Sequence, residues 1–212
     1  VFTLFILFQT FKKRKGTTDK GKKYEDLITA NVVLQLVSDS KIKDFRISSN
    51  DENFGDFDDV VIEIETNRGT KTKSLQLKHI NDKRQLCIKQ LASEKGDFSL
   101  FKYFKSAQKL QGRVQEFILF TTSTFTASSE EQKFKLEGEE FYLNAIKKTV
   151  SKDDFDILRI SENINYYHTF QIIEEEGTKQ NPEKMQQYQR FFEKFRLYTN
   201  QERFEALTKS TM

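Results

Sequence analysis

Phe54 to Ile80, FGDFDDVVIEIETNRGTKTKSLQLKHI, is the stretch that most limits what this chain can become. Val60, Val61, Ile62 and Ile64 give one strand its β-branched content, and Leu75, Leu77 and Ile80 are the apolar positions of a second. Between them Asn67-Arg68-Gly69 is a turn signal, because glycine takes positive φ without a steric penalty. The charges do not mix. From Asp51 to Glu65 every charged residue is acidic: Asp51, Glu52, Asp56, Asp58, Asp59, Glu63 and Glu65. From Arg68 to Lys78 every one is basic: Arg68, Lys71, Lys73 and Lys78. Pairing the strands therefore sets carboxylates against lysines.

Side chains alternate faces along a strand. Val60, Ile62 and Ile64 share one face, read as core, with Asp58 on their parity; Asp59, Val61 and Glu63 face the other way. In the second strand Gln76 and Lys78 lie opposite Leu75, Leu77 and His79. With the apolar faces aligned, Asp59, Gln76 and Lys78 project from one side. A two-residue turn at Arg68-Gly69 sets Asp59 across from Lys78. Such a patch suits phosphodiester hydrolysis. Mg²⁺ or Mn²⁺ takes hard oxygen ligands, here a carboxylate from Asp59 and an amide oxygen from Gln76. Lys78 then positions water or neutralises developing charge. Asp58 competes with Asp59 for the metal, since a bulge at the strand start exchanges their faces.

Asp59, a hydrophobic strand and then Gln76-Leu77-Lys78 resemble the core of the PD-(D/E)XK, or restriction-endonuclease-like, nucleases in their Q-x-K variant. The likeness spans about Gly21 to Thr122 and is closest to the nuclease domains fused to nucleotide-binding defence proteins. No proline precedes Asp59, and glutamine stands where the motif has an acid. The resemblance implies an α/β fold with a mixed central sheet flanked by helices. It implies a metal-dependent nuclease acting on nucleic acid, DNA before RNA. The family's upstream helix often carries a further acid, and Glu25 in GKKYEDLITANVVLQL matches that place. In this reading Glu25, Asp59 and Gln76 hold the metal with the Leu77 carbonyl, and Lys78 assists the water. Lys71, Lys73, Lys83, Arg84, Lys102 and Lys105 contact the nucleic-acid backbone. The alternative is a nuclease fold without catalysis, binding nucleic acid or protein within a larger multidomain protein.

With 212 residues the chain divides into a basic and apolar flank (1–18), a nuclease-like core (19–125) and an α/β extension packed on it (126–212). A net charge of +3 proves no nucleic-acid partner, so local segregation is the better argument. The lone Cys87 excludes an internal disulfide framework and fits an intracellular, cytoplasmic or nuclear location. Val1–Phe8 is apolar but too short to span a bilayer; it suits a buried strand or helix turn, a flank outside the core, or the end of a signal or anchor segment, and no membrane partner is expected. The Lys12–Lys15 cluster suits a nuclear-import signal, a phosphate-contacting arm or a solvated linker. A homodimer is expected for cutting both strands of a duplex, and further domains are expected in the full-length protein.

Elsewhere, a helix capped by Thr17, Thr18 or Asp19 is expected to bury Leu27, Ile28, Val32, Val33 and Leu34. Phe45–Ser48 reads as a strand. Asp82–Ala92 reads as a helix, followed by a second one with a Phe98, Phe101, Phe104, Ala107 and Leu110 stripe. Glu116–Thr122 reads as a buried parallel strand. Glu139–Val150 is read as a helix, Asp156–Ile160 and Thr169–Ile173 as strands, and Asn181-Pro182 as the start of a helix. Arg196–Thr199 reads as a strand, before a last helix to Leu207. His79 and His168 are the only histidines and do not form a pair at metal spacing, so no histidine-based zinc site or acid–base dyad is expected; no Gly-rich phosphate loop is present.

Overall fold

A computed structural model describes residues 19–80, 85–110, 112–126, 133–149, 166–173 and 180–201. The chain opens with α1 (Asp19–Ser38) and β1 (Ile42–Ser48). A 3-10 helix (Glu52–Phe57) leads into β2 (Val60–Thr66) and β3 (Gly69–Lys78). Then come β4 (Gln85–Leu86), α2 (Ile88–Leu91), α3 (Leu100–Lys109), β5 (Glu116–Thr121) and β6 (Thr124–Phe125). The last third holds β7 (Lys133–Leu136), β8 (Glu139–Thr149), β9 (Tyr166–Ile173), α4 (Pro182–Lys194) and β10 (Phe195–Tyr198).

Eight strands form one mixed, mostly antiparallel sheet in the order β1-β2-β3-β5-β10-β9-β8-β7. The first three make an antiparallel meander. β5 runs parallel to β3, and β10 parallel to β5. β4 and β6 form a separate two-stranded parallel pair.

Helices cover both faces, so there are two cores. Tyr24, Ile28, Val32 and Leu36 of α1 recur at the four-residue spacing of one helix face and pack on Val60, Ile62, Ile64, Leu75 and Leu77. The opposite face is larger and aromatic. There α3 and α4 bring Phe104, Tyr188, Phe191 and Phe192 against Phe57, Phe117 and Phe195. Leu34, expected inside, is 68% exposed, because the 3.6-residue period turns it away once the Tyr24–Leu36 row faces the sheet.

Several expected elements are present. Ser99 caps α3 by accepting from Lys102 N, and Asn181 caps α4 with Pro182 in its first turn. Two expectations are overturned. Glu139–Thr149 is a strand, not a helix: Phe141 and Leu143 alternate inward, and β8 pairs along both sides with β7 and β9. A helix does not fill Asp82–Ala92 either. Within its described part Gln85–Leu86 is a strand, and only Ile88–Leu91 is helical, because Cys87 is extended. The strand expected at Asp156–Ile160, the last helix and the Lys12–Lys15 cluster lie outside the described residues. Among the described residues no helix is long and apolar enough to cross a membrane.

Candidate active site at the carboxyl end of β3

The hairpin register decides which side chains meet. Thr66 pairs with Gly69, so Asn67-Arg68 forms the turn. Thr66 Oγ1 accepts from Arg68 N at 3.1 Å and donates to Gly69 O at 3.2 Å, and Gly69 takes φ 109°. Val60 then pairs with Leu75, and Asp59 falls beside Gln76 rather than Lys78. The expected turn at Arg68-Gly69 is corrected by one residue, and the facing pair by two.

Asp59 Oδ2 accepts from Leu77 N at 2.8 Å and from Gln76 Nε2. The carboxylate thus extends the β2–β3 ladder one step before the first residue of β2. Asp59 and Gln76 are each 4% exposed. The reason is the second core: α3 covers this face of the sheet. Tyr103 of α3 shows this directly. Burial foremost, and then Asp59, Asp56 and Asp97, hold its phenol well above the ordinary range. It stays protonated and donates to Asp97 O at 2.6 Å. Asp58, of opposite parity, is fully buried.

Lys78 ends β3 beside Thr121, on the parity of Gln76. Its carbonyl accepts from Thr121 Oγ1 at 3.0 Å and Thr122 N at 3.3 Å. Its side chain is half-buried and has no acidic partner among the described residues. Glu25 stands on α1, half-buried, with Oε2 3.8 Å from Lys22 Nζ. The neighbouring Tyr24 ring lies 4.8 Å from that of His79, so the first turns of α1 reach the carboxyl end of β3.

The basic residues separate. Lys73 Nζ lies 2.6 Å from Glu116, and Lys102 Nζ lies 2.7 Å from Asp56. Lys71 and Lys105 are exposed, with Lys105 Nζ 4.2 Å from the centre of the Phe101 ring. Lys83 and Arg84 lie outside the described residues.

Three hydroxyls went unread in the sequence. Ser74 donates to Phe57 O. Ser106 Oγ accepts from Asp56 N at 3.0 Å and donates to Asp56 Oδ2 at 2.8 Å. Thr122 Oγ1 accepts from Ile80 N at 2.9 Å. Ser74 alone carried a signal, since it shares the parity of Gln76.

Among the described residues no three of His, Cys, Asp or Glu are grouped to hold a metal ion. Asp59 carboxylate, Gln76 amide oxygen and Leu77 carbonyl are nevertheless all hard oxygen donors. They suit a cation that completes its shell with water and phosphate. No protein-family model matches this sequence, and no curated protein is similar enough to count as a relative.

Proposed function

We propose that this chain hydrolyses phosphodiester bonds of nucleic acid, DNA before RNA, with a divalent metal, on a restriction-endonuclease-like core. One observation carries the reading: Asp59 and Gln76 touch, on the sheet face shared by Lys78, where the parallel strands β3 and β5 end. Crevices at the carboxyl ends of parallel strands are the usual binding positions of open α/β sheets. A mixed sheet flanked by helices, with β5 parallel to β3, supports this reading.

In this reading Asp59, the Gln76 amide oxygen and the Leu77 carbonyl would hold Mg²⁺ or Mn²⁺; Glu25, on the α1 side of the sheet, would join them only around the carboxyl end of β3. The bound ion supplies Lewis acidity toward the scissile phosphate. Lys78 orients the attacking water and offsets negative charge as it develops. Lys105 and Lys71 serve as phosphate contacts. Lys73 and Lys102 are committed to Glu116 and Asp56, so they serve only if those pairs open.

Plasmid DNA and labelled RNA, incubated with Mg²⁺ or Mn²⁺, test this. Cleavage by the wild type is expected to fall by about 10²-fold or more in Lys78→Ala, the usual effect of removing one charge-stabilising group. Equal cleavage by both proteins, or none by either, sinks the assignment. A second reading, a nuclease fold that binds without cutting, is favoured by the internal donors already engaging Asp59 Oδ2. It is separated by DNA affinity that falls steeply with salt in a chain that cleaves nothing.

A further inference from the structure

β1 is the outermost strand of the sheet, and its far edge has no strand beside it among the described residues. Hydrogen-bond parity tells which groups that edge presents. In β3, Leu77 N turns toward β2, since it donates to Asp59. Thr72 turns toward β5, since its amide and carbonyl both bond Gln115. The odd-numbered residues of β3 therefore bond β2, through their register partners Val60, Ile62 and Ile64. Val61, Glu63 and Glu65 are left to bond β1, through Ser48, Arg46 and Asp44. Phe45 and Ile47 consequently turn their N–H and C=O groups to the open edge. The Phe45 amide agrees: it donates to Asp44 Oδ1 at 2.9 Å.

An open edge is a template for another strand, and its side chains decide which one. Asp44 and Arg46 are exposed and flank Phe45 on one face of β1. Consider a second β1 laid antiparallel about a two-fold axis at Phe45. Phe45 then meets Phe45 as a hydrogen-bonded pair. Asp44 of each copy meets Arg46 of the other as a non-hydrogen-bonded pair, in which side chains come closest. Because only odd-numbered residues point outward, the adjacent antiparallel registers set Asp44 against Asp44 or Arg46 against Arg46. Like charges directly opposite are destabilising, so charge selects the register centred on Phe45. The bulge between Ile42 and Asp44 lies outside these three rungs. Arg46 lies 3.5 Å from Glu63 in an exposed pair, which holds it weakly. We infer that β1 pairs with β1 of a second copy of this chain, joining two eight-stranded sheets across Phe45. The surface is independent of the proposed cleavage site.

The test is sedimentation equilibrium of the full chain, without nucleic acid, from micromolar to millimolar concentration. Three rungs make a small contact, so a weak, concentration-dependent dimer is expected. Asp44→Arg and Arg46→Asp each set like charges across the axis. Each is expected to weaken the dimer about tenfold or more. Asp44→Arg/Arg46→Asp restores opposite charges in the same register and is expected to return within about threefold of wild type. Both positions are exposed, and thermal melts check that every variant is folded. The proposal is overturned if the wild type stays monomeric at millimolar concentration, if neither single reversal weakens the dimer, or if the double variant fails to restore it. A dimer that only Leu34→Asp abolishes lies on the exposed side of α1 and overturns it as well. Lys78→Ala is expected to dimerise as the wild type does, so a failed cleavage assay leaves this result standing.

Discussion

Asp59 holds two buried donors with one oxygen, which makes it structural whatever else it does. Asp59→Ala strands Leu77 N and the Gln76 amide without an acceptor, at a cost of roughly 2–4 kcal/mol. Asp59→Asn keeps a carbonyl oxygen there and is expected to cost less than half as much. Urea denaturation of both variants checks this, and an equal loss would mean that the hydrogen bonds are not what matters. The contact itself was legible, because alternation puts Asp59 and Gln76 on one face. Its register was not. Whether Asn67 or Arg68 opens the turn depends on the Thr66 hydroxyl, and a one-residue change in the turn shifts every facing pair by two. His168 carries a second prediction. Burial first, and then Lys147, lower its pKa to about 4, and neither ring nitrogen has a partner among the described residues. The folded protein keeps the ring neutral while the unfolded chain takes a proton below about 6.5. Stability contributed by the neutral ring is therefore full above pH 6.5 and is lost as pH falls toward 4. The loss is on the order of 2–3 kcal/mol at about 1.4 kcal/mol per pH unit. His168→Phe is expected to flatten that slope in denaturation curves at pH 4.5 and 7; an unchanged slope would assign it to other groups.

The 3-10 helix before β2 is held to α3 by a small polar lock. Ser106 exchanges hydrogen bonds with both the backbone and carboxylate of Asp56, and Lys102 pairs with the other carboxylate oxygen. Gly55 makes the approach possible: with φ 62°, a Cβ there would lie 2.8 Å from Ser106 Oγ. Gly55→Ala is accordingly expected to cost about 1–3 kcal/mol, more than the roughly 1 kcal/mol for Ser106→Ala. Thermal melts rank the two, and the reverse order would show that the helix shifts freely. The sequence reading assigned Lys102 to phosphate because α3 shows it as one of several lysines off the apolar stripe. Nothing local reveals a partner 46 positions upstream. β8 was misread for a related reason. Phe141, Leu143, Ile146 and Val150 recur at intervals of two, three and four, so a helix period fits them. The deciding facts are the partners on either side: β9 comes from distant sequence, while β7 is joined to β8 by the tight Glu137-Gly138 turn, a local glycine signal that the helix reading passed over. α4 was legible because its cap, its proline and its apolar stripe are all local.

The family likeness ends near Thr122, yet the core it implies is not closed by those residues. β5 has β3 on one side and β10, the last described strand, on the other. The aromatic core is joined in the same way. Phe57 lies 5.0 Å from Phe117 and 6.4 Å from Phe195; Phe117 lies 6.3 Å from Phe191; Phe104 lies 4.8 Å from Tyr188. Apart from Phe117 of β5, each of these partners comes from α4 or β10. A fragment of residues 19–125 would thus leave one long edge of β5 unpaired and uncover Phe57, Phe104 and Phe117 together. Unpaired edges and large apolar patches drive association. The fragment is expected to bind a hydrophobic dye and to unfold without a sharp transition, whereas the full chain unfolds cooperatively. Adding back residues 126–201 as a separate chain should restore the transition if β10 docks between β5 and β9. A fragment that is monomeric and melts cooperatively on its own would show that the first 125 residues form a self-sufficient unit, and that α4 and β10 only lie against it.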